Sequence, residues 1–321
     1  MATDGSRRLL RKALRWLLTV AVVAVVGYFF AATLARNWDD VQAAQIGFDW
    51  TWVVATLVFA AAVLVTGLLW GRLLRRLDGT RITRTEAMAV QSLSWLLKYI
   101  PGQVGSVVNK VLWAGKRGIS RTVVIISFVY ENVLLQLASI IPSVLILLLA
   151  LGTDLFGENP ATLLLPLLAL IPLGLVMWKP FFHRVVNVAA RRALKSEVPV
   201  EYFLSTPQTL ASLAEFLLPR LLNAVGFVIL AATVTEVTPA EWLPFGAAYV
   251  LAGAIGILAF FVPSGLGVRE AIIVLILSQY TTTAQAIVIS LLARLLSTIG
   301  DAVVALAYLA LRRAIPKENR P

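Results

Sequence analysis

The sequence predicts an all-α polytopic membrane protein built as an inverted repeat, each half two spans, a re-entrant helical hairpin and one span. Three observations carry that expectation. The composition suits a chain dissolved in lipid. Basic residues fall in blocks that alternate with acidic loops. One short Pro/Gly element occurs twice, half a chain apart.

Of the 321 residues, 59% are hydrophobic and 14% charged, and the mean hydropathy is +0.85. Soluble domains carry about 25% charged residues. The chain therefore reads as a single transmembrane domain over residues 1–321, with no stretch left for an independent catalytic domain. Cys is absent, which excludes disulfides and thiolate metal sites, and the single His183 excludes a His-rich metal cluster. No Walker lysine motif or dinucleotide fingerprint occurs, so no cofactor is expected and direct nucleotide drive is disfavoured. With neither a zinc-protease helix motif nor a nucleophile elbow, the chain is not expected to be an enzyme.

The net charge of +11 is not spread evenly. Five clusters, at residues 7–15, 72–84, 110–121, 179–195 and 312–320, hold 23 of the 28 Lys and Arg residues. The third comprises Lys110, Lys116, Arg117 and Arg121. Loops between the clusters carry Asp39, Asp40, Asp49, Asp154, Glu158, Glu236 and Glu241, with only Arg36 against them. By the positive-inside rule the clusters and both termini are cytoplasmic. The expected location is the cell membrane, multi-pass. The expected partners are membrane lipids and anionic headgroups at the cytoplasmic face, not nucleic acid.

A helix needs about 20 mostly apolar residues to cross a bilayer. Spans are expected near 14–34, 51–74, 121–151, 161–178, 208–235 and 284–311. The first exceeds the roughly 7–15-residue core of a signal peptide, so it reads as a retained anchor. The polar linker 179–207 holds Phe181, Val185, Val188 and Leu194 at helical spacing opposite basic residues, which predicts a helix lying on the cytoplasmic surface. His183, on that helix, reads as a polar residue at headgroup level.

Two apolar stretches do not fit simple spans. One, "EAMAVQSLSWLLKYIPGQVGSVVNKVLWAGK", lies between two basic clusters; the other, "EWLPFGAAYVLAGAIGILAFFVPSGLGVREAIIVLILSQYTTT", lies between two loops poor in basic residues. Each is interrupted midway, at Pro101, Gly102 and Gly105 and at Pro263, Gly265 and Gly267. Pro101 and Pro263 are 162 residues apart, as are Gly105 and Gly267. The pseudo-repeats then cover about 14–151 and 161–313 in opposite orientations, the plan of transporters whose site lies where broken helices meet. Non-helical backbone survives at membrane depth only against protein or a wet cavity. Half-helices starting near Ser106 and Val268 point N-termini into the membrane, where their free N–H groups favour an anion.

Four basic residues, Lys98, Arg220, Arg269 and Arg294, lie within apolar segments, and Glu131, Glu215, Glu270 and Asp301 are the acids at comparable depth. A charge at mid-membrane costs about 2.5–3.5 kcal/mol on insertion scales, so each must face a counter-charge, a cavity or a ligand. Glu215 and Arg220 fall near the cytoplasmic end and are expected to lock the bundle. Arg294 and Asp301, seven residues apart, share one helix face. Glu131 shifted by 162 falls one residue from Arg294, so these two are expected to face each other across the pseudo-twofold. The candidate binding set is Arg269, Arg294, Lys98, Glu131, Glu270 and Asp301.

"YIPGQVGSVVNK", followed by a Glu-bearing span, and "FVPSGLGVREA" in the second half resemble the lysylphosphatidylglycerol synthase transmembrane-region family of flippase-like membrane proteins. The resemblance extends from about Arg15 to Arg313. It implies translocation of a polar lipid, phosphate-bearing or polyprenyl-linked, between leaflets. Its multiple peptide resistance members add a soluble aminoacyl-transferase domain; this sequence carries none, so lipid synthesis is not expected of it. Two other readings stay open: a small-solute or anion carrier, with a closed central cavity, and a membrane partner of a separate lipid-modifying enzyme.

Overall fold

The computed structural model describes residue 35 and residues 49–99, 104–152, 161–194, 197–258 and 267–316. Among these are ten α-helices, two 3₁₀ turns and no strand. The expected span 14–34 and the break residues Pro101, Gly102, Pro263 and Gly265 lie outside the described residues.

Helix α1 covers Thr51–Asp78 and ends at Gly79, which adopts φ 77° and returns its N–H to the Arg75 carbonyl. That left-handed closure suits a residue without Cβ. Helix α2, Arg84–Leu96, starts on a reciprocal cap: Thr83 Oγ1 accepts the Glu86 N–H and the Glu86 carboxylate accepts the Thr83 N–H, both at 3.2 Å. After a 3₁₀ turn at Leu97–Tyr99 come α3, Val104–Lys116, and α4, Arg121–Leu151. Helices α5, Ala161–Met177, and α6, Lys179–Leu194, follow, and then α7, Thr206–Ala231. Helices α8, Trp242–Leu258, α9, Val268–Leu277, and α10, Thr283–Arg313, complete the chain. A second reciprocal cap, between Thr282 and Gln285, opens α10.

Among the described residues, four stretches are long and apolar enough to cross a membrane: α1, α4, α10 and residues 200–231, which include α7. They answer the expected spans 51–74, 121–151, 284–311 and 208–235, the last ending four residues early at Ala231. The helices within the two interrupted stretches are shorter: 13 residues each for α2 and α3, 17 for α8 and 10 for α9. None alone reaches the roughly 20 residues a crossing requires.

The packing of these helices makes two apolar cores at opposite ends of the bundle. One joins the C-terminal half of α1 to α2, α3 and the N-terminal parts of α4 and α7, around Trp70, Trp113, Tyr130 and Phe216. The other joins the N-terminal half of α1 to α8, α9 and the remaining parts of α4, α7 and α10, around Phe59, Phe227, Phe245 and Tyr249. Helix α1 packs on α7 through Gly226, where a Cβ would lie 2.9 Å from the Phe59 ring. It packs on α2 through Gly67, whose Cβ would lie 2.8 Å from that of Gln91. Close backbone approach between small residues replaces hydrophobic drive inside a bilayer. Helix α2 also packs on α10, and α8 on α4.

The expected surface helix is α6. Val185 and Val188 are exposed on it, while Phe182 turns inward against Tyr130 and Phe203. His183 Nε2 lies 3.0 Å from the Val198 carbonyl and 2.9 Å from Asn187 Nδ2, and Asn187 Oδ1 accepts the Val198 N–H at 2.7 Å. His183 thus helps fold the linker back onto α6.

Candidate functional site

Several charged side chains are embedded among the residues of the two apolar cores. On α4, Glu131 lies among Tyr130, Leu134 and Ala138 of the first core; on α10, Arg294 lies among Leu292, Ala293 and Leu296 of the second; on α7, Arg220 lies between Phe216 of the first and Phe227 of the second. Four constellations bear on the candidate site.

The first joins α2, α3 and α4. Lys110 is 1% exposed and Glu131 3%; Lys110 Nζ bonds Glu131 Oε2, and Gln91 Nε2 donates to Oε1 at 2.7 Å. The ammonium also lies 4.5 Å from the centre of the Trp70 ring. Lys110 is therefore interior, which corrects its assignment to the cytoplasmic cluster of Lys116, Arg117 and Arg121. Its position six residues into an apolar helix was the available signal. The polar face of α3 explains the depth: Ser106 Oγ donates to the Ser94 carbonyl at 2.5 Å and Asn109 Nδ2 to Ser94 Oγ at 2.9 Å, tying α3 to α2. Gly105 is buried on the same helix.

The second joins α9 and α10. Gly267 precedes α9 with φ 83°, where a Cβ brings strain. Its N–H is accepted by Glu270 Oε2 at 2.8 Å, and Glu270 Oε1 accepts from Arg294 Nη1 at 2.5 Å. The N-terminus of α9 thus holds a carboxylate, its own Glu270. Of the N–H groups expected to be free near Val268, that of Gly267 is taken. One expectation is corrected: Glu131 and Arg294 do not pair, because each is held by a partner on the neighbouring short helix.

The third joins the end of α2 to α10. Lys98 Nζ lies 2.8 Å from Asp301 Oδ2, Trp95 Nε1 donates to Asp301 Oδ1 at 2.7 Å, and Lys98 sits 4.1 Å from the centre of the Trp95 ring. Arg294 and Asp301 therefore share α10 but serve different partners.

The fourth is the uncompensated one. Arg269, on the first turn of α9, lies over the Tyr249 ring at 5.5 Å and has no carboxylate partner among the described residues. Arg220 stands within electrostatic reach of Arg269 and Tyr249, and its buried Nε has no hydrogen-bond partner. Of the two charges expected to lock the bundle, Glu215 does so: it takes two hydrogen bonds from Arg76 of α1, each 2.8 Å, with Arg72 at 3.7 Å. Lys98 is in turn within electrostatic reach of Arg269 and Arg294. A narrow crevice opens here, lined by Tyr249, Arg269, Glu270, Ser290 and Arg294. The Ser290 hydroxyl, on a residue 2% exposed, has no hydrogen-bond partner either.

Chemically, these guanidinium groups are suited to hold an anion. A guanidinium cannot be relieved of its charge by losing a proton, and its fork of N–H groups matches carboxylate or phosphate oxygens. Of the candidates named from sequence, Lys98, Arg269, Glu270, Arg294 and Asp301 come together. Glu131 stands apart with Lys110, and Arg220 joins the group unforeseen.

No curated protein matches the chain. The family model described as the lysylphosphatidylglycerol synthase TM region matches residues 16–305, nearly the whole length. With its apolar spanning helices, the chain thus belongs to the lysylphosphatidylglycerol synthase transmembrane-region family, multi-pass membrane proteins tied to lipid biology.

Proposed function

We propose that the chain translocates a polar, phosphate-bearing lipid across the membrane, binding the headgroup at the charges around Tyr249 while the tails stay in lipid. The observation that carries this reading is Arg269, a guanidinium without a carboxylate partner among the described residues, which lines one crevice with the unbonded Ser290 hydroxyl and has Arg220 within electrostatic reach. Charges left uncompensated at this depth are functional features by default. A lipid phosphate supplies the missing counter-charge, and Lys98 and Arg294 can be drawn from Asp301 and Glu270 as it moves. The chain performs no chemistry on the lipid in this scheme, and a separate enzyme makes or modifies it.

Two features support an inverted repeat around that site. If α1 answers α7, the pair α2–α3 answers α8–α9, and α4 answers α10, then the packing of α2 on α10 has its counterpart in α8 on α4. The ion pairs follow the same rule with their signs exchanged. Shifted by 162, Glu131 and Lys110 fall one and two residues from Arg294 and Glu270. Each half thus places one ion pair between the second member of its short-helix pair and the long helix after it. On this reading the short pairs are re-entrant hairpins entering from opposite faces, with basic loops and both termini cytoplasmic.

Reconstitution of the purified chain in lipid vesicles tests the proposal by following fluorescent phospholipids between leaflets. Movement above that of protein-free vesicles supports it; movement no faster than theirs refutes it.

A further inference from the structure

A second cleft, of about 580 Å³, opens beside the turn from α3 to α4. Asn109, Leu112, Trp113, Gly115, Lys116 and Arg121 line it, and it shares no residue with the crevice at Tyr249. The charges on its walls are both positive. Glu86, the carboxylate that α2 brings to this turn, is taken by Arg117 at 3.1 Å and by its own cap on Thr83. Arg121 has no carboxylate partner among the described residues. It is the first residue of α4, whose first turn holds no acidic side chain. A helix N-terminus carries positive partial charge, so a guanidinium placed there is served by an anion and not by the helix. Gly115 lets it approach: a Cβ there would lie 3.4 Å from Arg121 Nη2 and 3.6 Å from Nε, so the guanidinium rests against the last turn of α3. Trp113, 1% exposed, is the buried part of the wall, and its indole N–H has no hydrogen-bond partner.

On its other side the cleft meets bare apolar surface. Leu112 is 63% exposed and Val108, one turn earlier on the same face of α3, 44%. Positive charge at one end and an exposed apolar strip running from it match a phospholipid, not a soluble anion. We propose that this cleft binds the phosphate of an anionic phospholipid from the surrounding leaflet, at a site separate from the crevice at Tyr249. The guanidinium fork of Arg121 and the Lys116 ammonium take the phosphate oxygens. Trp113 Nε1 donates to a headgroup oxygen, which relieves the desolvation penalty of an unmade buried donor. An acyl chain lies along Leu112 and Val108. The lipid thereby braces the end of α3 against the start of α4, whether or not the crevice takes a lipid of its own.

The test titrates fluorescent phosphatidylglycerol into the full chain in neutral detergent micelles and reads binding as anisotropy. Every protein carries Arg269→Ala, so that the crevice adds nothing of its own. Lys116→Gln with Arg121→Gln is expected to raise the Kd about tenfold, as the loss of two basic side chains at a lipid surface implies. Arg312→Gln with Arg313→Gln removes the same charge from the exposed end of α10 and is expected to leave the Kd unchanged. Trp113→Phe keeps a ring but removes the N–H, and is expected to raise the Kd about threefold, the worth of one hydrogen bond. Unlabelled phosphatidylglycerol should displace the probe, and inorganic phosphate should not. Equal weakening by the two double variants overturns the site and leaves only diffuse surface charge. No weakening by Lys116→Gln with Arg121→Gln overturns it as well. Displacement by inorganic phosphate overturns the lipid assignment in favour of a soluble anion. Should Trp113→Phe fail to fold, the two exposed double variants decide.

Discussion

Arg294 Nη1 lies 2.5 Å from Glu270 Oε1, across the contact between α10 and the first turn of α9. Arg269, the neighbour of Glu270 in sequence, shares none of that carboxylate and lies over Tyr249 instead. One arginine is engaged by a carboxylate; the other has no carboxylate partner among the described residues.

That division predicts different outcomes for two similar substitutions. Arg269→Ala should slow lipid movement by about tenfold or more, since a charge-assisted contact to phosphate is lost, and leave thermal stability in detergent nearly unchanged. Arg294→Ala should lower both, because it strands Glu270 between the α9 N-terminus and an empty space. Identical stability losses in the two variants contradict the assignment.

Lys110→Ala should destabilise the protein by about 3–5 kcal/mol, because it leaves Glu131 charged and buried with Gln91 as its remaining partner. Replacing both partners by apolar residues, Lys110→Met with Glu131→Leu, should recover most of that loss. Thermal unfolding of the three proteins in detergent measures it. Recovery of stability with intact lipid movement assigns the pair to structure; recovery without movement assigns it to transport.

Gly226→Val should destabilise the bundle by about 1–3 kcal/mol through overpacking, because a Cβ there meets the Phe59 ring at 2.9 Å and the Ala55 carbonyl at 3.3 Å. Gly253, with nothing within 4 Å of its Cβ position, should accept Ala without such a loss. Equal Tm changes for Gly226→Val and Gly253→Ala contradict the close α1–α7 approach.

Orientation is testable because the chain has no cysteine of its own. Asp78 is exposed at the end of α1, and Thr238 is exposed on the connection from α7 to α8. Asp78→Cys should react with an impermeant maleimide only from the cytoplasmic side, and Thr238→Cys only from the outside. Labelling of both from one side breaks the opposed orientation of the halves.

Long spans were legible because about 20 consecutive apolar residues have few alternatives to crossing a bilayer. The start of α10 is fixed by a side-chain cap, Thr282 with Gln285, that the spans alone did not reveal. Partners were harder to read. In lipid both the outward and inward faces of a helix are apolar, so sequence alone does not fix how it is rotated. Glu131 was accordingly matched to Arg294 by repeat symmetry, whereas α4 turns it toward Lys110 and Gln91. Glu215 and Arg220 were both expected to lock the bundle, but an offset of five turns their side chains to different helix faces, and only Glu215 meets Arg76. Lys110 was hidden by its neighbours, since Lys116, Arg117 and Arg121 make a basic run that continues past the bilayer's edge.

The most direct test of the central claim compares the wild type with Arg269→Ala in proteoliposomes, following a fluorescent phosphatidic acid from one leaflet to the other. The account predicts rapid movement with the wild type and movement near the protein-free rate with an equally well-inserted Arg269→Ala. Equal, rapid movement by both proteins contradicts it and places the headgroup elsewhere.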